Sequence, residues 1–419
     1  MSTTAVTRPR LLRELDRPAD AFRGIGPNWF AAVMGTGIVA NAAATLPVHI
    51  TGLHTLAFAV WLLAAAMLVA LVAATAVHWT RHRETARGHA LNPAMAPFYG
   101  APPMALLTVA AGTVTFGPDL LGTSTALGIG TVLWTLGTLV GLASTVLVPY
   151  LMITRHTLSL ESVFATWLMP VVPPMVSAAT GPLLIPHIAH GQARLGLMLA
   201  CYAMFGISLL ATLALLPLIW TRLLLHRTGP AVMVPTLWIV LGPLGQSVTA
   251  ANTLGSVAHL AVPAEQARAF EAFAVVYGVP VLGFALLWLV LAAAITLRTA
   301  RTELPFAMTW WGFTFPLGTC VTGAAGLAAH TGSTAFKALA VALYAALVAA
   351  WVVVGTHTAR GCLTGSLFRV TRPVTAPGAS STASPVASPV ASPVASPVAR
   401  FVGEPVASPV APSVATPVS

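Results

Sequence analysis

The sequence predicts an all-α polytopic membrane protein of ten transmembrane helices, five inside the bundle and five around it. Three observations carry this. The chain is 57% hydrophobic and 7% charged, with a mean hydropathy of +0.85, whereas soluble domains carry roughly a quarter charged residues. Ten apolar stretches of the length that crosses a hydrocarbon core, about 20 residues, fit between Pro27 and Thr356. Proline, glycine and threonine mark every second stretch.

The marked stretches are residues 27–46, 101–116, 166–185, 232–254 and 304–328. The plain ones, richer in Ala, Leu and Val, are 53–78, 125–153, 195–225, 273–297 and 336–356. A helix that only faces lipid can be uniform. One with Pro, Gly and Thr in its middle needs neighbours to satisfy its interrupted backbone ladder. The marked set is therefore expected inside, as the bent inner ring that a pore requires.

Charge sets the orientation. Arg13, Arg17, Arg81, Arg83, Arg155, Arg222, Arg298 and Arg360 are among seventeen basic residues on one side, against Arg194, Arg268 and Lys337 on the other. By the positive-inside rule both termini are cytoplasmic, in the cell membrane, and an odd number of spans would scramble the separation. The pI near 10.7 is thus a topology signal. A nucleic-acid footprint would cluster its charge on one folded domain. Residues 1–26 form a basic cytoplasmic segment without a cleavage site, residues 27–358 the membrane domain, and residues 359–419 a cytoplasmic tail. From about residue 374 that tail repeats Val-Ala-Ser-Pro. Regular proline blocks ladders and the small side chains supply no core, so disorder is expected.

In the first span Asn28 suits a helix cap and Trp29 a membrane interface. Gly35 and Gly37, flanking Thr36, admit either a solute or a packed neighbour. The third opens Phe98-Tyr99-Gly100, with Pro102 and Pro103 suited to a first helical turn. In the fifth, Pro170, Pro173 and Pro174 do not support an unbroken helix in lipid. The seventh contains Pro243, Gln246 and Asn252. These two amides are the most polar groups at membrane depth, placed to contact a solute or to bond across helices. The ninth reads Trp310-Trp311-Gly312-Phe313-Thr314-Phe315-Pro316. An aromatic beside a proline bend, among small residues, can plug a narrow pore or simply pack on a neighbour.

Absences narrow the function. No Asp, Glu, Lys or Arg lies deep in an expected span, so there is no carboxylate relay of the kind that marks many pumps. The basic rim concentrates anions at the mouth. His187 and His190 lack a third ligand, and Cys201, Cys320 and Cys362 have no CxxC spacing, so no metal, disulfide or cofactor is expected. No nucleophile elbow, phosphate loop or His-Glu-x-x-His is present, and an enzyme is not expected.

The run Pro27-Asn28-Trp29-Phe30 with Met34-Gly35-Thr36-Gly37-Ile38 resembles the opening helix of the tellurite-resistance/dicarboxylate transporter family. Phe98 through Met104, Pro170 through Met175, Gly242-Pro243 and Trp310 through Gly318 are similar to its later motifs, over about residues 24–358. That family includes tellurite-resistance channels, malate permeases, sulfite efflux proteins and the plant slow anion channel. The resemblance implies five hairpins, odd helices around a central pore, even helices outside, and a homotrimer with one pore per subunit. It maps the family's gating phenylalanine to Phe315, with Phe313 second. It maps the signature prolines to Pro102, Pro173, Pro243 and Pro316, with Pro170 and Pro174 as neighbouring alternatives. The expected function is transport of a small anion, a C4-dicarboxylate such as malate, or sulfite. The alternative is a membrane sensor or scaffold with a signalling tail.

Overall fold

The computed structural model describes residues 12–15 and 17–369. The Val-Ala-Ser-Pro repeats, and the expected disorder there, lie outside the described residues. All regular elements among the described residues are helical. They are α1 (Phe30–Thr45), α2 (Leu53–Arg81), α3 (Arg83–Leu91), α4 (Ala101–Phe116), α5 (Pro118–Leu121) and α6 (Thr123–Arg155). Then follow α7 (Pro173–Thr180), α8 (Gln192–His226), α9 (Leu241–Val257), α10 (Ala264–Ala300), α11 (Phe315–Thr331) and α12 (Thr334–Thr364).

The five marked stretches are composite. A 3₁₀ segment precedes each α-helix: Pro27–Trp29 before α1, Ala96–Gly100 before α4, Ala165–Leu168 before α7, Ala231–Val240 before α9 and Met308–Phe313 before α11. The prolines stand at these junctions. Pro102 and Pro103 lie in the first turn of α4, Pro173 and Pro174 open α7, Pro243 is in the first turn of α9, and Pro316 is the second residue of α11. A missing N–H costs nothing where no intrahelical partner exists. The prolines therefore start helices, as expected for Pro102 and Pro103 and in place of the bends expected of the others. Pro170 lies in the turn before α7, and its carbonyl accepts the Thr145 hydroxyl of α6 at 2.9 Å. Three other prolines, Pro149, Pro217 and Pro280, sit inside the long helices α6, α8 and α10. Proline is thus less confined to the inner set than its sequence pattern implied.

This is a multi-pass membrane protein. Seven described helical stretches are long and apolar enough to cross a bilayer, or eight if Arg83–Leu91 and Ala96–Phe116, which meet at 101°, count as one broken span. The shortfall from ten arises at α1, α4 and α7. The first two have 16 residues each and the third has 8.

Burial separates the two sets. The apolar windows of α2, α6, α8, α10 and α12 are between 22% and 33% buried, against 78% for the stretches holding α9 and α11. Contacts run α1 to α4, α4 to α7, α7 to α9, α9 to α11, and α11 back to α1, a closed cycle. Each member also packs on the long helix that follows it: α2, α6, α8, α10 and α12 in turn. Gly245 allows the tight α9–α11 approach, since a Cβ there would stand 2.6 Å from the Cys320 backbone nitrogen.

The N-terminal segment is tied to the far end of the chain. Leu12 N–H donates to the Leu363 carbonyl at 2.7 Å, and Trp29 stacks on Phe368 with centroids 5.0 Å apart. Trp29 is buried beneath that ring. Asn28 gives α1 no side-chain cap, because Trp29 holds the N-cap position.

Candidate functional site

Two cavities lie within the cycle of α1, α4, α7, α9 and α11, and residues from all five segments line each of them. The larger, about 360 Å³, is at the C-terminal ends of these helices. The smaller, about 30 Å³, is at their N-terminal ends and holds on the order of one or two waters. Along α1 the linings are separated by the step from Met34 to Ile38, along α11 by the step from Pro316 to Thr322. At 1.5 Å per residue, a packed layer about 6–9 Å thick divides them.

The larger cavity is uncharged, with polar groups set into a mostly apolar lining. Thr45, Thr115, Thr180, Thr249, Thr253 and Thr322 face it with Asn41, Gln246 and Asn252. Helix geometry explains the threonines: most donate to a carbonyl three or four residues earlier, as Thr115 does to Ala111 at 2.9 Å and Thr180 to Val176 at 2.8 Å. This satisfies the hydroxyl at membrane depth. The Thr249 and Thr322 hydroxyls also meet at 2.6 Å across α9 and α11.

The three amides differ. Asn41 Nδ2 donates to the Thr108 carbonyl at 3.0 Å and Asn252 Nδ2 to the Val248 carbonyl at 2.7 Å. Their Oδ1 atoms, and Oε1 of Gln246, are buried without a partner. Such groups are costly unless something else meets them. Hydroxyls and amides that can rotate let a solute exchange part of its hydration shell without meeting a fixed charge.

The smaller cavity is walled by Met34, Phe98, Met169, Ile239, Trp311 and Phe315, among others. Phe315 is 3% exposed. With Pro316 it is the lining residue furthest along α11, on the side of the dividing layer. Phe313 is elsewhere: its ring meets Trp238 at 5.2 Å and Trp310 at 5.7 Å, and it lines neither axial cavity. The structure thus separates two phenylalanines that the sequence left as first and second choice.

The remaining sequence candidates divide. Gln246 and Asn252 line the large cavity and Pro316 the small one. Gly35 and Gly37 are packing positions, because a Cβ would collide with Thr314 and Trp311 in one case and with Thr108 in the other. Thr36 accepts the Trp351 indole N–H at 3.1 Å, away from the axis. Thr314 is buried and donates to the Trp311 carbonyl at 2.8 Å. Pro103 and Pro173 pack against α6 at Gly141. Pro102, Pro170, Pro174 and Pro243 line neither axial cavity. Asn41 was missed by the sequence reading. Its signal was an amide in the middle of a marked stretch, the property that singled out Asn252. Among the described residues no group of three or more His, Cys, Asp or Glu could hold a metal ion.

A ring of short buried segments around uncharged axial space, sheathed by long apolar helices, defines a membrane transport protein. The chain belongs to the voltage-dependent anion channel family, whose profile matches residues 24–359. It is 29% identical to a sulfite efflux pump of Arthroderma otae, over 83% of this chain and 94% of that protein. A sulfite efflux pump of Trichophyton rubrum is 28% identical over the same shares. An uncharacterized transporter of Methanocaldococcus jannaschii is 26% identical over 86% of this chain and 99% of its own length.

Proposed function

We propose that this protein moves small anions across the cytoplasmic membrane along the axis of the five-segment ring, and that Phe315 closes the path. The observation that carries the reading is the pair of axial cavities, separated by a thin layer at Phe315 and free of charged side chains in their linings. A narrow apolar constriction excludes water and ions until it widens. Weak neutral partners on the wider side suit a solute that must both enter and leave.

In this reading all ten segments cross the bilayer, paired as five hairpins, with both termini cytoplasmic. The N-terminal ends of the ring segments then face the cytoplasm, where the basic residues gather and raise the local anion concentration. Sulfite is the first substrate to test, because two of the relatives are named for sulfite efflux; malate, a C4-dicarboxylate, is the second. A homotrimer with one pathway per subunit is part of the proposal.

The test is flux into proteoliposomes holding the purified chain, with sulfite, malate and chloride compared under imposed voltage and pH gradients. Saturable or voltage-driven uptake of one of these anions, absent from empty vesicles, is the expected result. Uptake no faster than in empty vesicles for all three, with the protein inserted and folded, removes the proposal.

A further inference from the structure

A third cavity, the largest of those described at about 460 Å³, lies off the axis between α2 and α12. Leu63 and Met67 of α2 form one wall, and Trp351, Val352, Gly355 and Cys362 of α12 the other. Its floor is Thr36 of α1 and Trp311. The mouth opens toward lipid, since Leu63 is 47% and Val352 49% exposed.

Water has little to hold it there. The Trp351 indole N–H pairs with Thr36 and that of Trp311 with Thr358, both at 3.1 Å. The Thr356 and Thr358 hydroxyls donate to carbonyls on their own helix at 2.9 and 2.8 Å. A buried water needs two to four polar partners, and these groups are already paired. The occupant is therefore apolar.

Shape says what kind. The α12 lining runs from Trp351 to Cys362, about 16 Å at 1.5 Å per residue. A volume of 460 Å³ drawn out over that length makes a long, narrow groove with an apolar lining. An extended hydrocarbon chain matches that shape. Arg360, exposed between the lining residues Ala359 and Cys362, supplies a positive charge near one end.

We propose that this crevice binds one acyl chain of an anionic phospholipid in the cytoplasmic leaflet, and that the bound chain opposes opening at Phe315. The coupling runs through Trp311, which lines both this cavity and the small axial one beside Phe315. On its other side Trp311 lies against Gly35, where a Cβ would be 2.6 Å from its Cε3. Its free space is the lateral cavity. Widening the axis moves Trp311 outward, and a chain in the crevice occupies the room it needs. This second half rests on the proposed role of Phe315; the binding half does not.

Two measurements test it on the full chain. In the first, vesicles of phosphatidylcholine with phosphatidylglycerol carrying dibrominated acyl chains report contact by quenching indole emission. Part of the quenching should disappear in Trp351→Phe and in Gly355→Leu, whose added Cβ meets no atom within 4 Å and fills the crevice without a clash. It should also weaken when the bromines are carried by phosphatidylcholine instead. Equal quenching in the wild type and both variants, or none, overturns the site. In the second, hexadecyl methanethiosulfonate tethers a chain at Cys362, while Cys201 and Cys320 are buried. Complete modification should lower anion flux, and Cys362→Ser should not respond to the reagent. Unchanged flux in fully modified protein overturns the coupling. Absence of flux from untreated protein would instead count against the transport reading, leaving the site to be judged by quenching.

Discussion

The indole of Trp311 rests on the bare backbone of Gly35: a Cβ at residue 35 would stand 2.6 Å from Trp311 Cε3 and closer still to the Thr314 hydroxyl. One missing side chain on α1 thus sets the position of the aromatic between the axial and lateral cavities. Gly35→Ala forces Trp311 or Thr314 to give way within a packed core. Such overpacking costs about 1–3 kcal/mol, so the thermal midpoint in detergent should fall. A midpoint equal to that of the wild type would show that Trp311 has slack on that side.

Gln246 offers the opposite contrast. Its Oε1 is buried and unpartnered while its side chain lines the large axial cavity. A buried polar atom without a partner carries its full desolvation cost, which an apolar side chain of similar shape removes. Gln246→Leu should therefore keep or raise its thermal midpoint and lose anion flux. Unaltered flux would mean that the solute does not meet this amide.

The inner and outer sets were legible because burial writes itself into composition. Only the lipid-facing helices tolerate uniform Ala, Leu and Val, and α2 and α12 are among the least buried in the structure. The junctions were less legible. Pro173 and Pro316 mark a break in regular helix equally well whether they kink it or begin it, and only the 3₁₀ segments ahead of them decide. Asn41 was hidden because its role depends on α4, whose Thr108 carbonyl fixes the amide and leaves the oxygen to the cavity. The lateral cavity is walled by α2 and α12, which lie far apart in the sequence, a juxtaposition no local pattern encodes.

At the N-terminal end of α1, the His89 ring of α3 stacks on His78 with centroids 5.3 Å apart, and His78 Nδ1 lies 2.9 Å from the Phe22 carbonyl. Burial, and then the neighbouring His78, hold the His89 imidazole below its ordinary value. The sign follows: a depressed value means the neutral ring is favoured in the folded state, so its contribution is full above about pH 6.5 and is lost as pH falls through the lowered value. Amide protection factors in residues 19–24, corrected for the intrinsic pH dependence of exchange, should fall on acidification from pH 7 to pH 5, and His89→Gln should flatten that dependence. Protection that does not change with pH would separate these histidines from the packing of the segment.

Orientation is open to direct measurement. With ten crossings, reporter fusions after Arg83 and Arg227 should report cytoplasm, and fusions near Arg194 and Lys337 the opposite side. The bent α3–α4 connection makes Arg83 the informative position, because its helix meets the next segment at 101° and Arg83 must stay with the N-terminal segment. A reporter there that reads the same side as one near Arg194 would break the alternation.

The two phenylalanines of the ninth stretch give the sharpest test of the pathway. Phe315 is buried against the small axial cavity, one residue before Pro316, whereas Phe313 is packed between Trp238 and Trp310 outside it. Phe315→Ala removes a ring that bounds the small axial cavity beside the dividing layer, widening a dry constriction and admitting water to it. Anion flux should rise, with little change in the preference for anions over cations, since the basic rim and the uncharged linings are untouched. Phe313→Ala should act on stability instead: truncating a packed aromatic costs about 3–5 kcal/mol when fully buried, and less here because the ring is partly exposed. Flux per folded molecule should then stay near the wild-type value. Lower or equal flux in correctly inserted Phe315→Ala would remove this ring as the gate, and a gain in Phe313→Ala alone would place the constriction on the opposite face of the segment.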